Sequence, residues 1–209
     1  MRFALITEGI SEHRIVKHIL EKYFKNSDIY CRPIQPQIYN EKQASSGGWL
    51  EVLKYCTRED DLNEIFNNND YLVIQIDTDQ SQTKPFNISH TKSNNKLKTI
   101  EELYNDVIYK LRDLIPPNII EEHGDKIFFA ISIHTIECWL LPIYYNNNHK
   151  SDTSNCLFSL NKELKKKNIH PIPPKDKNNP VSIRTYDTIL RNWGKKQDII
   201  NSAQHNFGF

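Results

Sequence analysis

Hydrophobic and polar positions change period several times along the chain, and each change marks an element. "RFALIT" (2–7) is an apolar run of strand length, and "HRIVKHILEKYF" (13–24) then sets Ile15, Val16, Ile19, Leu20 and Phe24 at helical spacing. Between them "EGISE" reads as a tight turn, with Ser11 as the N-cap of the helix. A second strand falls around "IYCRPIQPQ" (29–37), where Pro33 and Pro36 confine it to an edge or shorten it. "SSGGWLEVLKYC" (45–56) reads as a glycine loop opening a second helix, with the acidic run Glu59 to Asp61 within it or just after. "YLVIQI" (71–76) is apolar almost throughout, as in a strand buried on both faces of a parallel sheet. "TIEELYNDVIYKLRDLI" (99–115) is an amphipathic helix opened by Thr99 and stopped by Pro116 and Pro117. "KIFFAISI" (126–133) is a further strand, and "HTIECWLLPIYY" (134–145) turns from it into an apolar helix.

Strands alternating with helices predict an α/β, Rossmann-like fold: a mostly parallel sheet of about four strands with helices on both faces. Past about residue 150 the pattern weakens into a lysine-rich helix, "LFSLNKELKKK", a proline-rich connector, "HPIPPKDKNNP", and a final helix, "IRTYDTILRNWGKKQDIINSA". Together these form a small basic helical appendage, so the chain divides into residues 1–150 and 151–209. The closing "AQHNFGF" is apolar enough to pack.

Composition narrows what the fold can do. With 209 residues, 38% hydrophobic and 11% aromatic, the chain can bury one sizeable core. A formal net charge of +1 excludes holding nucleic acid by bulk charge, so any such site is a local patch. Cys31, Cys56, Cys138 and Cys156 lie far apart without a CxxC pair, which argues against zinc, and Cys138 is expected to pack as a small hydrophobe. No signal pattern or bilayer-length apolar run is present, so the chain reads as cytoplasmic, with reduced thiols and no membrane contact.

In an open parallel sheet, ligands gather at the carboxyl ends of the strands. Those ends carry Glu8, Asp77, Asp79, His134 and Glu137. Clustered carboxylates repel and are costly to desolvate, and a hard divalent cation or a basic neighbour keeps them ionised. Oxygen donors without thiolate suit Mg²⁺ or Mn²⁺. Asp77 and Asp79 can share an ion if Thr78 stays extended; otherwise the pair caps a turn. Glu12, one helical turn beyond Glu8, either joins that site or lies on a solvated face. Glu137 is either a site acid or an acid favoured by a helix N-terminus, and His134 either moves a proton or is structural. Lys84 is the nearest lysine to the aspartates and could stabilise phosphate, or simply be solvated.

"ITEGISE" after the first strand and "IDTD" after the third resemble the TOPRIM domain of topoisomerases, bacterial primases, small RNA maturases and the overcoming-lysogenization-defect nucleases. The resemblance covers roughly residues 1 to 145 and implies that Glu8, Asp77 and Asp79 bind Mg²⁺. It places Glu12 where the nuclease branch often has a second metal-binding acid. "SIHTIECWLL" further resembles compact TOPRIM-like proteins of bacterial antiviral defence systems. The resemblance thus implies a metal-dependent nuclease, a phosphodiester hydrolase with RNA slightly favoured over DNA. Its catalytic set would be Glu8, Asp77, Asp79, Glu137, Lys84 and His134, and its nucleic-acid contacts Lys92, Lys165, Lys166, Arg184, Arg191 and Lys195. Tyr186 and Trp193 either stack on bases or pack the appendage onto the sheet. No P-loop appears, so any nucleotide hydrolysis falls to an ATPase partner protein. Two alternatives stay open: a TOPRIM-like subunit inert without such a partner, and a binder of a phosphorylated small molecule.

Overall fold

A computed structural model describes residues 1–24, 28–174 and 177–205. Side-chain alternation in the first strand, β1 (Arg2–Ile6), sets the architecture, because Phe3 and Leu5 enter one core layer while Ala4 and Ile6 enter the other. The chain continues through α1 (Ile10–Tyr23), β2 (Tyr30–Gln35), a short hairpin β3 (Ile38–Tyr39) and β4 (Lys42–Gln43), α2 (Trp49–Cys56) and α3 (Glu59–Asn68). It then forms β5 (Tyr71–Asp77), α4 (Ile100–Leu114), α5 (Pro117–His123) and β6 (Ile127–Ser132). Helices α6 (Cys156–Lys166), α7 (Pro180–Arg191) and α8 (Lys196–Ala203) come last.

The fold is α/β, with one four-stranded sheet in the order β2-β1-β5-β6 and every neighbouring pair parallel. Pro33 sits in β2, an edge strand, where a missing N–H costs the sheet least. One face of the sheet packs on Ile15 and Val16 of α1 and on Tyr186 and Ile189 of α7; the other packs on Val52, Leu62, Val107 and Ile119 from α2 to α5. The helical segment beyond residue 150 is therefore built into the core, with Leu160, Leu164, Trp193 and Ile199 in the same cluster as Phe3 and Leu5.

Local chemistry explains where the elements depart from the periodicity. Glu59, Asp60 and Asp61 form the first turn of a separate helix, α3, where acids favour the helix dipole. Pro117 stops nothing: it opens α5, because its missing N–H is an orphan in a first turn. Thr99 does cap α4, through a reciprocal capping box with Glu102. The apolar helix expected after β6 is instead a 3₁₀ run, Ile136–Ile143, containing Pro142. The expected last helix is two, α7 and α8, parted at Trp193 and Gly194. Cys138 is not a free packed thiol but is disulfide-bonded to Cys156, while Cys31 and Cys56 are free and buried. The apolar chain end at 206–209 lies outside the described residues. Among the described residues no helix is long and apolar enough to cross a membrane.

Candidate active site at the strand ends

The strand order reverses direction between β1 and β5, since β1 connects outward to β2 and the chain then crosses to β5 on its other side. In open α/β sheets a ligand crevice forms at such a switch point. Glu8 lies two residues past β1 and Asp77 is the last residue of β5, so topology brings them together. Their backbones and side chains interlock: the Asp77 N–H donates to Glu8 Oε1 at 2.7 Å, and the Glu8 N–H donates to Gln75 Oε1 at 3.3 Å. The buried Gln75 amide also donates to Asp77 Oδ1 at 2.9 Å, fixing that carboxylate in place.

Two glycines allow the close approach. A Cβ at Gly9 would meet Glu12 Oε2 at 2.6 Å, and one at Gly47 would collide with the Glu8 carbonyl oxygen. Gly48 N–H donates to that same carbonyl at 2.6 Å, so the "SSGG" loop closes over the turn after β1. Glu12 is buried at the start of α1 and accepts from Ser11 Oγ at 2.8 Å.

A second group completes the crevice from the proline-rich connector before α7. Lys177 Nζ lies 2.9 Å from Glu137 Oε1 and 3.0 Å from its Oε2, and Tyr186 Oη donates to Glu137 Oε1 at 2.6 Å. Glu137 is fully buried in the 3₁₀ run after β6. The next residue of the connector, Asn178, holds the start of α1 by accepting from Ser11 Oγ at 3.1 Å.

Electrostatics divide these carboxylates. Burial pushes the Glu8 carboxyl up to about 8, reinforced by the charges of Glu12 and Asp79. Burial likewise raises Glu12, and raises Asp77 well above the ordinary range with help from Glu8 and Glu12. Glu137 goes the other way: burial pushes it up, but the Lys177 ammonium and the hydrogen bonds from Tyr186 and Lys177 hold it below its usual value. Lys177 is raised because Glu137, Asp77 and Glu12 together outweigh the burial that lowers it.

The other expected site residues fall into three groups. The strand ends at Asp77 and Thr78 bends, donating its N–H to the Ser132 and His134 carbonyls, so Asp77 is buried while Asp79 turns outward, exposed. Asp79 nevertheless stays close enough for its charge to act on Glu8. His134 is exposed at a positive φ of 69°, its N–H held by Thr78 Oγ1 at 2.7 Å, and Lys84 is exposed in the loop after β5. Neither carries a charge that acts on the carboxylates, and the cation that does, Lys177, is one that periodicity could not single out from the other connector lysines.

Of the expected nucleic-acid contacts, Lys92 and Lys166 are tied to Glu102 and Glu163, each at 2.6 Å. Lys165, Arg184, Arg191 and Lys195 are exposed. Tyr186 and Trp193 are core residues, so they pack the C-terminal helices onto the sheet and are not available to stack on bases.

The donor set fits a hard divalent cation chemically, being all carboxylate oxygen with uncompensated negative charge, and Glu8, Asp77 and Glu12 would hold it. Among the described residues, however, no three His, Cys, Asp or Glu side chains are already grouped as a metal site. No family model, curated protein or solved structure matches this chain.

Proposed function

We propose that the chain is a Mg²⁺- or Mn²⁺-dependent phosphodiesterase acting on nucleic acid, with a TOPRIM-like catalytic crevice between β1 and β5. The observation that carries this reading is the packing of Glu8, Glu12 and Asp77 at the switch point with too little positive charge around them, so that burial drives them toward protonation. A site built only for stability would replace such a cluster with apolar side chains. When bound, a divalent cation polarises a phosphoryl oxygen and lowers the pKa of water.

The chain's own groups have separate tasks. Glu8, Asp77 and Glu12 supply oxygen donors, and Gln75 locks the Asp77 rotamer. Lys177, anchored by Glu137 and thereby by Tyr186, presents an ammonium that stabilises the charge developing on a phosphate beside the carboxylates. Asp79 stands exposed beside Glu8, where it can orient a hydrated ligand. RNA is the favoured polymer, and the setting is a bacterial cytoplasmic defence system.

The direct test compares wild type with Asp77→Asn on pooled transfer RNA, ribosomal RNA and single- and double-stranded DNA, each with Mg²⁺, Mn²⁺ or EDTA. Cleavage that needs metal and falls at least about 100-fold in the variant supports the reading. A folded wild type that cuts no polymer under any of these conditions overturns the stand-alone enzyme. A second reading, a subunit completed by an ATPase partner, is favoured by the carboxylates' not being grouped around one point among the described residues. It predicts cleavage only after co-expression with that partner.

A further inference from the structure

Along the outer side of α1, next to the carboxylate crevice, runs a cleft of about 590 Å³ between α1 and α7. It begins beside the crevice, because its first residues, Ile10 and His13, flank Glu12 on the same helix. Its charges do not cancel. Arg14 takes two of the lining carboxylates, Asp187 at 2.7 Å and Glu41 at 3.8 Å, and Lys17 takes the third, Glu21, at 3.7 Å. Lys22 and Arg191 are left without a carboxylate partner among the described residues; Arg191 donates only to Thr188 Oγ1 and the Asp187 carbonyl.

A polar group in the wall is also unmet. His13 is buried, 7% exposed, and its Nδ1 has no hydrogen-bond partner among the described residues, nor has Nε of Arg14 beside it. A buried polar atom left unpaired is costly, so a position lining a cleft with spare donors and spare positive charge suits an anionic ligand. Residues 13 to 22 of a helix rising 1.5 Å per residue span about 14 Å, which fits a run of polymer backbone better than a lone ion.

Resting on the phosphodiesterase reading, we propose that this cleft is a phosphate-binding subsite, in which His13, Lys17, Lys22 and Arg191 hold backbone phosphates of the strand whose scissile bond lies at the carboxylate crevice. The contacts are to phosphate alone, so they set the register of the strand without reading its bases.

The test keeps metal out with EDTA, so that binding is measured without cleavage. Ring resonances of His13 and His18, which both line the cleft, are followed by NMR as inorganic phosphate or a short single-stranded oligonucleotide without terminal phosphates is added. The subsite predicts that the oligonucleotide shifts both rings. It also predicts that the double variant Lys22→Ala, Arg191→Ala, with an unchanged melting temperature, shows a slope of log K against log salt shallower by about 2, one per lost contact. In the cleavage assay the same variant should raise KM with little change in kcat.

An oligonucleotide that binds without moving either ring, or with an unaltered salt slope in the variant, overturns the subsite. Ring shifts with inorganic phosphate but not with the oligonucleotide assign the cleft to a free phosphate group and overturn the polymer assignment. The two readings separate cleanly. Metal-dependent cleavage indifferent to the double variant removes the subsite and leaves the enzyme, whereas oligonucleotide binding through the cleft with no cleavage under any metal removes the enzyme and leaves the subsite.

Discussion

The crevice at the strand ends has two halves that solve the same physical problem in opposite ways. On the β6 side, Glu137 is fully buried yet kept ionised, because Lys177 and Tyr186 replace the water it lost. On the β1–β5 side, Glu8, Glu12 and Asp77 are packed together with hydrogen bonds but no cation of their own, and burial raises all three. The first half is a finished structural unit that carries an ammonium to the crevice. The second is a set of acids whose electrostatics remain unfinished within the chain, and this difference assigns structure to one and ligand binding to the other.

The largest effect should come from breaking the finished half. Glu137→Ala leaves Lys177 and the Tyr186 hydroxyl without their partner, so urea denaturation should show a loss of about 3 to 5 kcal/mol. A loss below about 1 kcal/mol would mean that Lys177 turns to Asp77 or Glu12 without penalty, and that the two halves are one. On the other side the expected change is opposite in kind. Asp77→Asn removes charge from a repelling group, so stability at pH 7 should equal or exceed that of wild type.

Next in size is the response to metal. A ligand that binds only the folded chain adds about 2.7 kcal/mol at 100 times its dissociation constant. Mg²⁺ or Mn²⁺ should therefore raise the melting temperature of wild type and fail to do so for Asp77→Asn, while Lys92→Ala responds like wild type. Equal shifts in all three proteins would place the ion elsewhere and leave the β1–β5 half without its assigned role.

How far this site was legible in the sequence depends on the range of the interactions that build it. The approach of Glu8 to Asp77 could be read, because apolar runs of strand length end at those residues and parallel topology aligns strand ends. The separation of Asp77 from Asp79 could not, since it depends on whether Thr78 bends, which its hydrogen bonds to the Ser132 and His134 carbonyls across the sheet decide. Lys177 was hidden for a similar reason. It lies in an aperiodic, proline-rich connector, 40 positions from Glu137, and only the folding of α7 onto α1 delivers it. The basic appearance of the C-terminal segment suggested a solvated appendage, but the apolar residues between those charges place its helices in the core.

The smallest effect, and the one that tests the comparison without altering a residue, is in pH. Glu8 has a folded value raised from 4.5 to about 8, so the folded state binds a proton there more tightly than the unfolded chain does. Its contribution to stability is complete below 4.5 and is lost as pH climbs through about 8. Glu137 has a depressed value, so its contribution is present above 4.5 and is lost only as pH falls through the lower folded value. Without metal, the melting temperature should therefore decline from about pH 5 to pH 8 and should also drop on the acid side. The neutral decline should be modest, because Glu8 is half-buried and water screens part of its repulsion. Saturating Mg²⁺ should flatten the neutral decline, since an ion paired with ionised carboxylates removes the advantage of the proton, and should leave the acid limb in place. A neutral decline that survives both Mg²⁺ and Glu8→Gln would mean that the unfinished half is not what titrates there.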